Sequence, residues 1–259
     1  MKNKFTKIIV PSLLLLASIA IIGPSCGTPS TPAITNLIDC LPNNLQNGLI
    51  AFYPISNGDI TDHSGNGYDL YNNSGNVFGA DRDGNPNCAL NFVAGTNQFL
   101  TYSNPVFLDN FQTLPFSISL WYKSNTNAAA TYELLIGRDT GLRCPDTYGQ
   151  WSVGLYDLRN PVFGINEKSL WFNTSTTPAN WKHLVVTCIG TDLKLYIDGV
   201  LTSQSTNSGC PILIPTINAG DLFIGKDFTG QMDEIGIYNR VLTPAEIIEL
   251  AALDACCGS

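Results

Sequence analysis

Apolar and polar positions alternate most regularly between residues 182 and 201. Leu184, Val186 and Cys188 fall on one side of an extended segment, His183, Val185 and Thr187 on the other. Gly190-Thr191-Asp192 supplies a turn. Leu193, Leu195 and Ile197 then alternate with Lys194, Tyr196 and Asp198, and Asp198-Gly199 turns the chain into Val200-Leu201. This is a hairpin with one core-facing side. Shorter strands are predicted over 49–54, 89–93, 98–102, 116–123, 132–137, 151–156, 162–165, 170–173, 221–225 and 232–238, with turn residues between them. Helical signals come only at the end: Thr243 as N-cap, Pro244 in the first helical position and Glu246 three residues after the cap. Ile247, Ile248, Leu250 and Ala251 give that helix, which runs to about residue 253, an apolar face. The pattern predicts an all-β fold, a sandwich or jelly roll, with one short C-terminal helix.

The N-terminus departs from this pattern. Lys2, Lys4 and Lys7 precede an apolar run, and small residues lead to Ser25-Cys26, the layout of an export signal. Pro11, Ser12 and Ser18 interrupt the run, which argues against a spanning helix. Cys26 resembles the lipidation cysteine of bacterial lipoproteins, whose thiol receives a diacylglycerol once the chain is cut before it; plain secretion is the alternative. The expected organisation is a signal over 1–25, a lipidated Cys26 with a Pro-, Thr- and Ser-containing tether to 46, and one domain over 47–257. Loss of 1–25, which carries three lysines and no acid, moves the formal charge from −8 to −11. So acidic a surface argues against nucleic acid as a partner, and against membrane contact except through the anchor.

Seven cysteines remain beyond Cys26, an odd number in a chain bound for an oxidising compartment. Cys188 shares its strand face with Leu184 and Val186, so it is expected as a buried thiol. Cys144 and Cys210 lie in long polar loops, each before a proline, and are expected to pair. Cys40 and Cys88 would then take Cys256 and Cys257, in an order the sequence leaves open. No zinc-type spacing occurs.

In order, LIAFYPISNGDITDHSGNGYDL, CALNFVAGTNQFL, LPFSISLWYKS, LLIGRD, NWKHLVVTCIGTDLKLYIDGV, LFIGKD and GQMDEIGIYNRVLTPAEI resemble the laminin G-like domains of the concanavalin A-like jelly-roll superfamily. The resemblance covers roughly residues 45–252. It implies two antiparallel sheets, one curved, in a jelly-roll sandwich whose concave face and rim loops in many relatives hold carbohydrate or protein ligands, often with a calcium ion. It also implies that Asp233, placed by alternation on the face of Ile235 and Ile237, joins Asp62 of the Asp62-His63-Ser64-Gly65-Asn66-Gly67 loop at a structural Ca2+. A turn-capping Asp62 and a hydrogen-bonded Asp233 are the plainer alternative.

Enzymatic chemistry has little to start from. Alternation sends Asp233 and Glu234 to opposite faces, Glu133 and Glu167 stand alone as solvated charges, and neither His63 nor His183 lies in a nucleophile motif. Trp121 shares its strand face with Ser117 and Ser119, where a sugar could stack, against the alternative that it fills the core. Asp139, Arg143, Asp146, Tyr148 and Asp227 are rim candidates for ligand contact. The expectation is a non-catalytic surface module for a glycan or glycosylated protein. The alternatives are an adhesive protein–protein domain without a sugar site and, remotely, a glycoside hydrolase.

Overall fold

The computed structural model describes residues 38–257, apart from 74, 76, 112, 126–131, 139–141, 145–146, 149, 157–159, 166–167, 172–178, 191 and 206–217. A short helix α1 (Asn43–Gln46) precedes the strands β1 (Leu49–Tyr53), β2 (Tyr71–Asn72), β3 (Val77–Gly79), β4 (Ala89–Phe92), β5 (Leu100–Tyr102) and β6 (Phe116–Ser124). There follow β7 (Glu133–Arg138), β8 (Leu142–Cys144), β9 (Thr147–Tyr148), β10 (Trp151–Tyr156), β11 (Asn160–Ile165) and β12 (Lys168–Trp171). The hairpin and the end of the chain supply β13 (Lys182–Ile189), β14 (Asp192–Ile197), β15 (Val200–Ser205), β16 (Leu222–Ile224), β17 (Gly230–Tyr238) and helix α2 (Pro244–Ala252).

Two antiparallel sheets form the sandwich. Sheet A has the order β15-β14-β13-β6-β17-β4-β3, with β1 also on β17; sheet B has the order β12-β11-β10-β7-β16-β5-β2. The inner residues of both make one core, in which Ile118, Leu120, Leu184, Val186, Cys188, Leu193, Leu195 and Ile237 of sheet A meet Leu135, Ile136, Trp151, Val153, Phe163 and Ile224 of sheet B. The alternation found in the sequence thus sets the inner face of the hairpin as expected, with Leu184 opposite Ile197 and Cys188 opposite Leu193. The similar LLIGRD and LFIGKD segments are neighbours, Ile136 opposite Ile224.

The other face of the hairpin is buried too. Val185 and Tyr196 join Phe52, Tyr238, Leu242, Ile247 and Leu250 in a second cluster, where α2 lies on the outside of sheet A. Helix α2 starts as its sequence indicates: the Thr243 hydroxyl accepts from the Glu246 N–H, and the Glu246 carboxylate accepts from the Thr243 N–H. Residues 38–46, expected as tether, belong to this layer instead. Ile38, Leu41 and Leu45 are buried in it, because the outer face of sheet A offers more apolar surface than a nine-residue helix covers.

Disulfides fasten the same layer, joining Cys40 to Cys256 and Cys88 to Cys257. Adjacent cysteines thereby tie the C-terminus to two segments 216 and 169 residues away. Cys188 is a buried thiol outside any disulfide. Cys210 lies outside the described residues, so its expected pairing with Cys144 falls there as well. Peptide mapping without reduction is expected to recover both bridges. Cys188 should resist alkylation in the folded protein and react once it is denatured. Cys88→Ser should cost about 2–4 kcal/mol in urea titration, the usual effect of opening a long loop.

Candidate functional site

The register of β17 departs from simple alternation at its centre. Gln231, Met232 and Asp233 face Lys123, Tyr122 and Trp121, whereas Gly236 and Ile237 face Ser119 and Ile118. Three steps along β17 thus match two along β6. The extra residue is a β-bulge at Glu234, whose φ is +47°. The parity change corrects two expectations. Asp233 is on the outer face with Trp121, not on the inner face with Ile235 and Ile237. Nor are Asp233 and Glu234 sent to opposite faces, since both meet Arg82 on the outside of sheet A.

Arg82 sits at the centre of this cluster. One guanidinium nitrogen lies 2.8 Å from the Glu234 carboxylate and 3.7 Å from that of Asp233, and the other donates to the Leu253 carbonyl at 2.9 Å. The guanidinium also lies 4.3 Å from the centre of the Trp121 ring, whose other neighbour is the His183 imidazole at 5.1 Å. The segment after α2 closes the arrangement: the Ala255 N–H donates to Asp83 and the Cys256 N–H to Glu234. Burial and the Glu234 charge raise the Asp233 carboxyl well above its usual range, with Arg82 opposing. Burial raises Glu234 as well, again against Arg82. His183, buried and near Arg82, is pushed down to about 3 and is therefore neutral; its Nε2 lies 2.8 Å from the Ser119 hydroxyl. These groups form a clasp for the C-terminus. Trp121 is accordingly outside the sandwich core, but Arg82 already occupies a face of its ring.

The calcium expectation can be tested on donor chemistry. Both Asp62 oxygens accept from their own surroundings, one from the Phe52 and Ser64 N–H groups and the other from the Ser64 hydroxyl and the Tyr68 N–H. Asp233 accepts from the Glu234 N–H and faces a guanidinium where a metal ion would be repelled. This donor set does not fit a calcium ion. The one clustering of potential metal ligands among the described residues, Asp81 with Cys88 and Cys257, is spent on a disulfide.

Beyond the clasp no helix among the described residues covers the outer face of sheet A. Lys123, Gln231, Asn91 and Val77 stand side by side on β6, β17, β4 and β3, and Trp181, just before β13, extends the row past Lys123. The Lys123 ammonium is 5.1 Å from the Trp181 ring centre. Gly79 makes room for the amides: a Cβ there would stand 2.3 Å from Gln231 Nε2 and 2.9 Å from the Asn91 amide. Gln231 donates to the Ala80 carbonyl, which fixes its amide and leaves its oxygen as an acceptor. Four inter-strand steps of about 4.8 Å give the row a span of roughly 19 Å. Trp181, Lys123 and Asn91 are half-buried, Gln231 between them is buried, and Val77 is 59% exposed. Alternation within each strand marks these positions as outward, but only the register brings them together.

The remaining candidates are scattered. Asp139 and Asp146 lie outside the described residues; Arg143 and Tyr148 are on the small β8–β9 ladder, apart from the row. Asp227 is exposed in the turn between β16 and β17. Glu133, expected as a solvated charge, is buried where β7 starts and accepts from the Thr229 N–H, because the 226–229 turn folds over it. Glu167 lies outside the described residues.

Residues 94–248, more than half of the chain, match the model of the concanavalin A-like lectin/glucanases superfamily. The chain belongs to this superfamily. Among solved structures similar to it is the binding domain of Paraclostridial Mosquitocidal Protein 1, at 18% identity and a TM-score of 0.62, covering 80% of this chain and 52% of that one. The receptor binding domain of botulinum neurotoxin C/D mosaic serotype matches at 14% identity and a TM-score of 0.62, covering 80% and 51%. Domain 4 of AbnA, an extracellular arabinanase from Geobacillus stearothermophilus solved with arabinotriose, matches at 19% identity and a TM-score of 0.56, covering 78% and 98%. The chain thus spans about half of each toxin domain and nearly all of the arabinanase domain. No characterised protein matches it by sequence.

In this superfamily member the clasp makes a sharp demand on Arg82. Arg82→Met should cost about 3–5 kcal/mol at pH 7, because two buried carboxylates lose their cation. The deficit should shrink as the pH falls: both carboxyls have folded-state pKa values above their unfolded ones, and once protonated they need no partner. Urea titrations of both proteins at pH 7 and pH 4 measure the change.

Proposed function

We propose that the protein is an exported, lipid-anchored surface module that binds a carbohydrate or a glycosylated partner without transforming it. The observation that carries this reading is the outward row of Trp181, Lys123, Gln231 and Asn91. An indole stacks on the apolar face of a sugar ring, and neighbouring amides and an ammonium satisfy its hydroxyls, the usual division of labour in a site for a polar ligand. Lys123, Gln231 and Asn91 stand on strands and Trp181 directly precedes one, so little ordering is needed on binding. The similar domains named above, two described as binding domains of toxins and one solved with arabinotriose, support the same reading by analogy of fold.

A hydrolase reading finds no foothold in the bulged carboxylates. Asp233 and Glu234 share a face, yet Arg82 and the backbone around Cys256 engage them and hold them away from solvent.

Binding to a glycan array is expected, and Trp181→Ala should lower the affinity for the bound glycans at least tenfold with an unchanged melting temperature. Retained affinity, or an array without binding, would count against the row as a sugar site. The anchor is tested separately. Cells expressing the full chain should incorporate labelled palmitate into it and retain it with the membranes, while Cys26→Ala should abolish labelling.

A further inference from the structure

The cations of this acidic chain are distributed unevenly. Arg82, Arg138, Lys182, Lys194 and Arg240 each pair with a carboxylate, respectively Glu234, Asp109, Asp198, Asp192 and Glu246. Lys123 does not. Among the described residues it faces no carboxylate, and its ammonium lies 5.1 Å from the centre of the Trp181 ring. Asn91, next in the row, has no hydrogen-bond partner for its amide among the described residues. An ammonium that faces no carboxylate among the described residues is a point where a single incoming carboxylate can pair locally, although the acidity of the chain as a whole opposes an anion.

We propose that the row selects acidic saccharides, with the carboxylate of a hexuronate residue paired to Lys123. This rests on the carbohydrate reading of the same row. An incoming carboxylate draws the Lys123 ammonium off the Trp181 ring, and the movement that forms the ion pair uncovers the indole face on which the pyranose stacks. A neutral sugar must displace the ammonium from the ring with no ion pair in return, so the two classes are told apart by one side chain. Gln231 is buried with its nitrogen tied to the Ala80 carbonyl, whereas the half-buried Asn91 offers a hydroxyl both a donor and an acceptor. The length of the row, roughly 19 Å, suits three or four pyranose units of an oligomer lying across the strands.

The test is calorimetric titration of the whole folded domain with tetrasaccharides of galacturonate, glucuronate and mannuronate, each beside its carboxyl-reduced neutral counterpart. At least one acidic tetrasaccharide is expected to bind tenfold or more tightly than its neutral counterpart, and the preference should shrink as salt is raised. Lys123→Gln should bring the acidic ligand down to the affinity of the neutral one, with the melting temperature unchanged. Equal affinity for acidic and neutral forms, or a preference that survives Lys123→Gln, would overturn the acidic selectivity. Neutral binding that is lost in Trp181→Ala would in that case leave the carbohydrate reading standing. Absence of binding to both sets and to a glycan array would remove that reading together with this one.

Discussion

The extra residue in β17 governs how the outside of this sandwich is used. Without the bulge at Glu234, strict alternation would carry Asp233 to the core side with Ile235 and Ile237, and a carboxylate there would be buried among hydrocarbon. With it, the strand keeps Met232, Ile235 and Ile237 inward and turns two consecutive carboxylates outward. A left-handed backbone at a glutamate is unfavourable. It persists because its side chain, once there, is held by Arg82 and by the Cys256 N–H. Backbone strain and C-terminal docking are thus two sides of one arrangement.

That arrangement divides sheet A. On one side of Arg82 the outer face is apolar and roofed by α1, α2 and the residues around Cys40, with two disulfides closing the roof. On the other side the strands bear amides, a lysine and a tryptophan, and nothing among the described residues covers them. Arg82 marks the border chemically as well, with one set of contacts to the clasp and its guanidinium plane against Trp121. A face divided in this way meets two needs: the roof adds a second apolar layer to a sandwich whose outer sheet would otherwise expose Val185, Tyr196 and Tyr238, and the open half remains available to solvent and ligand.

How much of this can be read in the chain depends on whether a feature is local. The hairpin, the strands and the start of α2 follow from period-two alternation and from capping residues a few positions apart, and they form as expected. The bulge carries no comparable signal, because Glu234 is neither glycine nor asparagine and its geometry is imposed by a partner 152 residues away. The docking of 38–46 escapes for the same reason: Ile38, Leu41 and Leu45 look sparse among Pro, Thr and Asn until a second apolar layer exists to receive them. The outward row is the extreme case. Asn91, Lys123, Trp181 and Gln231 are unremarkable one at a time, and only strand order and register place them side by side.

The same register argument bears on what kind of ligand an open sheet face can hold. Residues on β4, β17 and β6 are fixed relative to one another by ladder hydrogen bonds, so the row cannot fold around a small molecule or exclude water from all its sides. A flat, pre-ordered row instead contacts one side of an extended chain, and affinity grows with the number of units that lie along it. On such a surface each contact is partly solvated, and an individual polar group adds little affinity while still discriminating between ligands. In the reading proposed above, selectivity then falls to the group that faces no carboxylate among the described residues. In this row that group is Lys123.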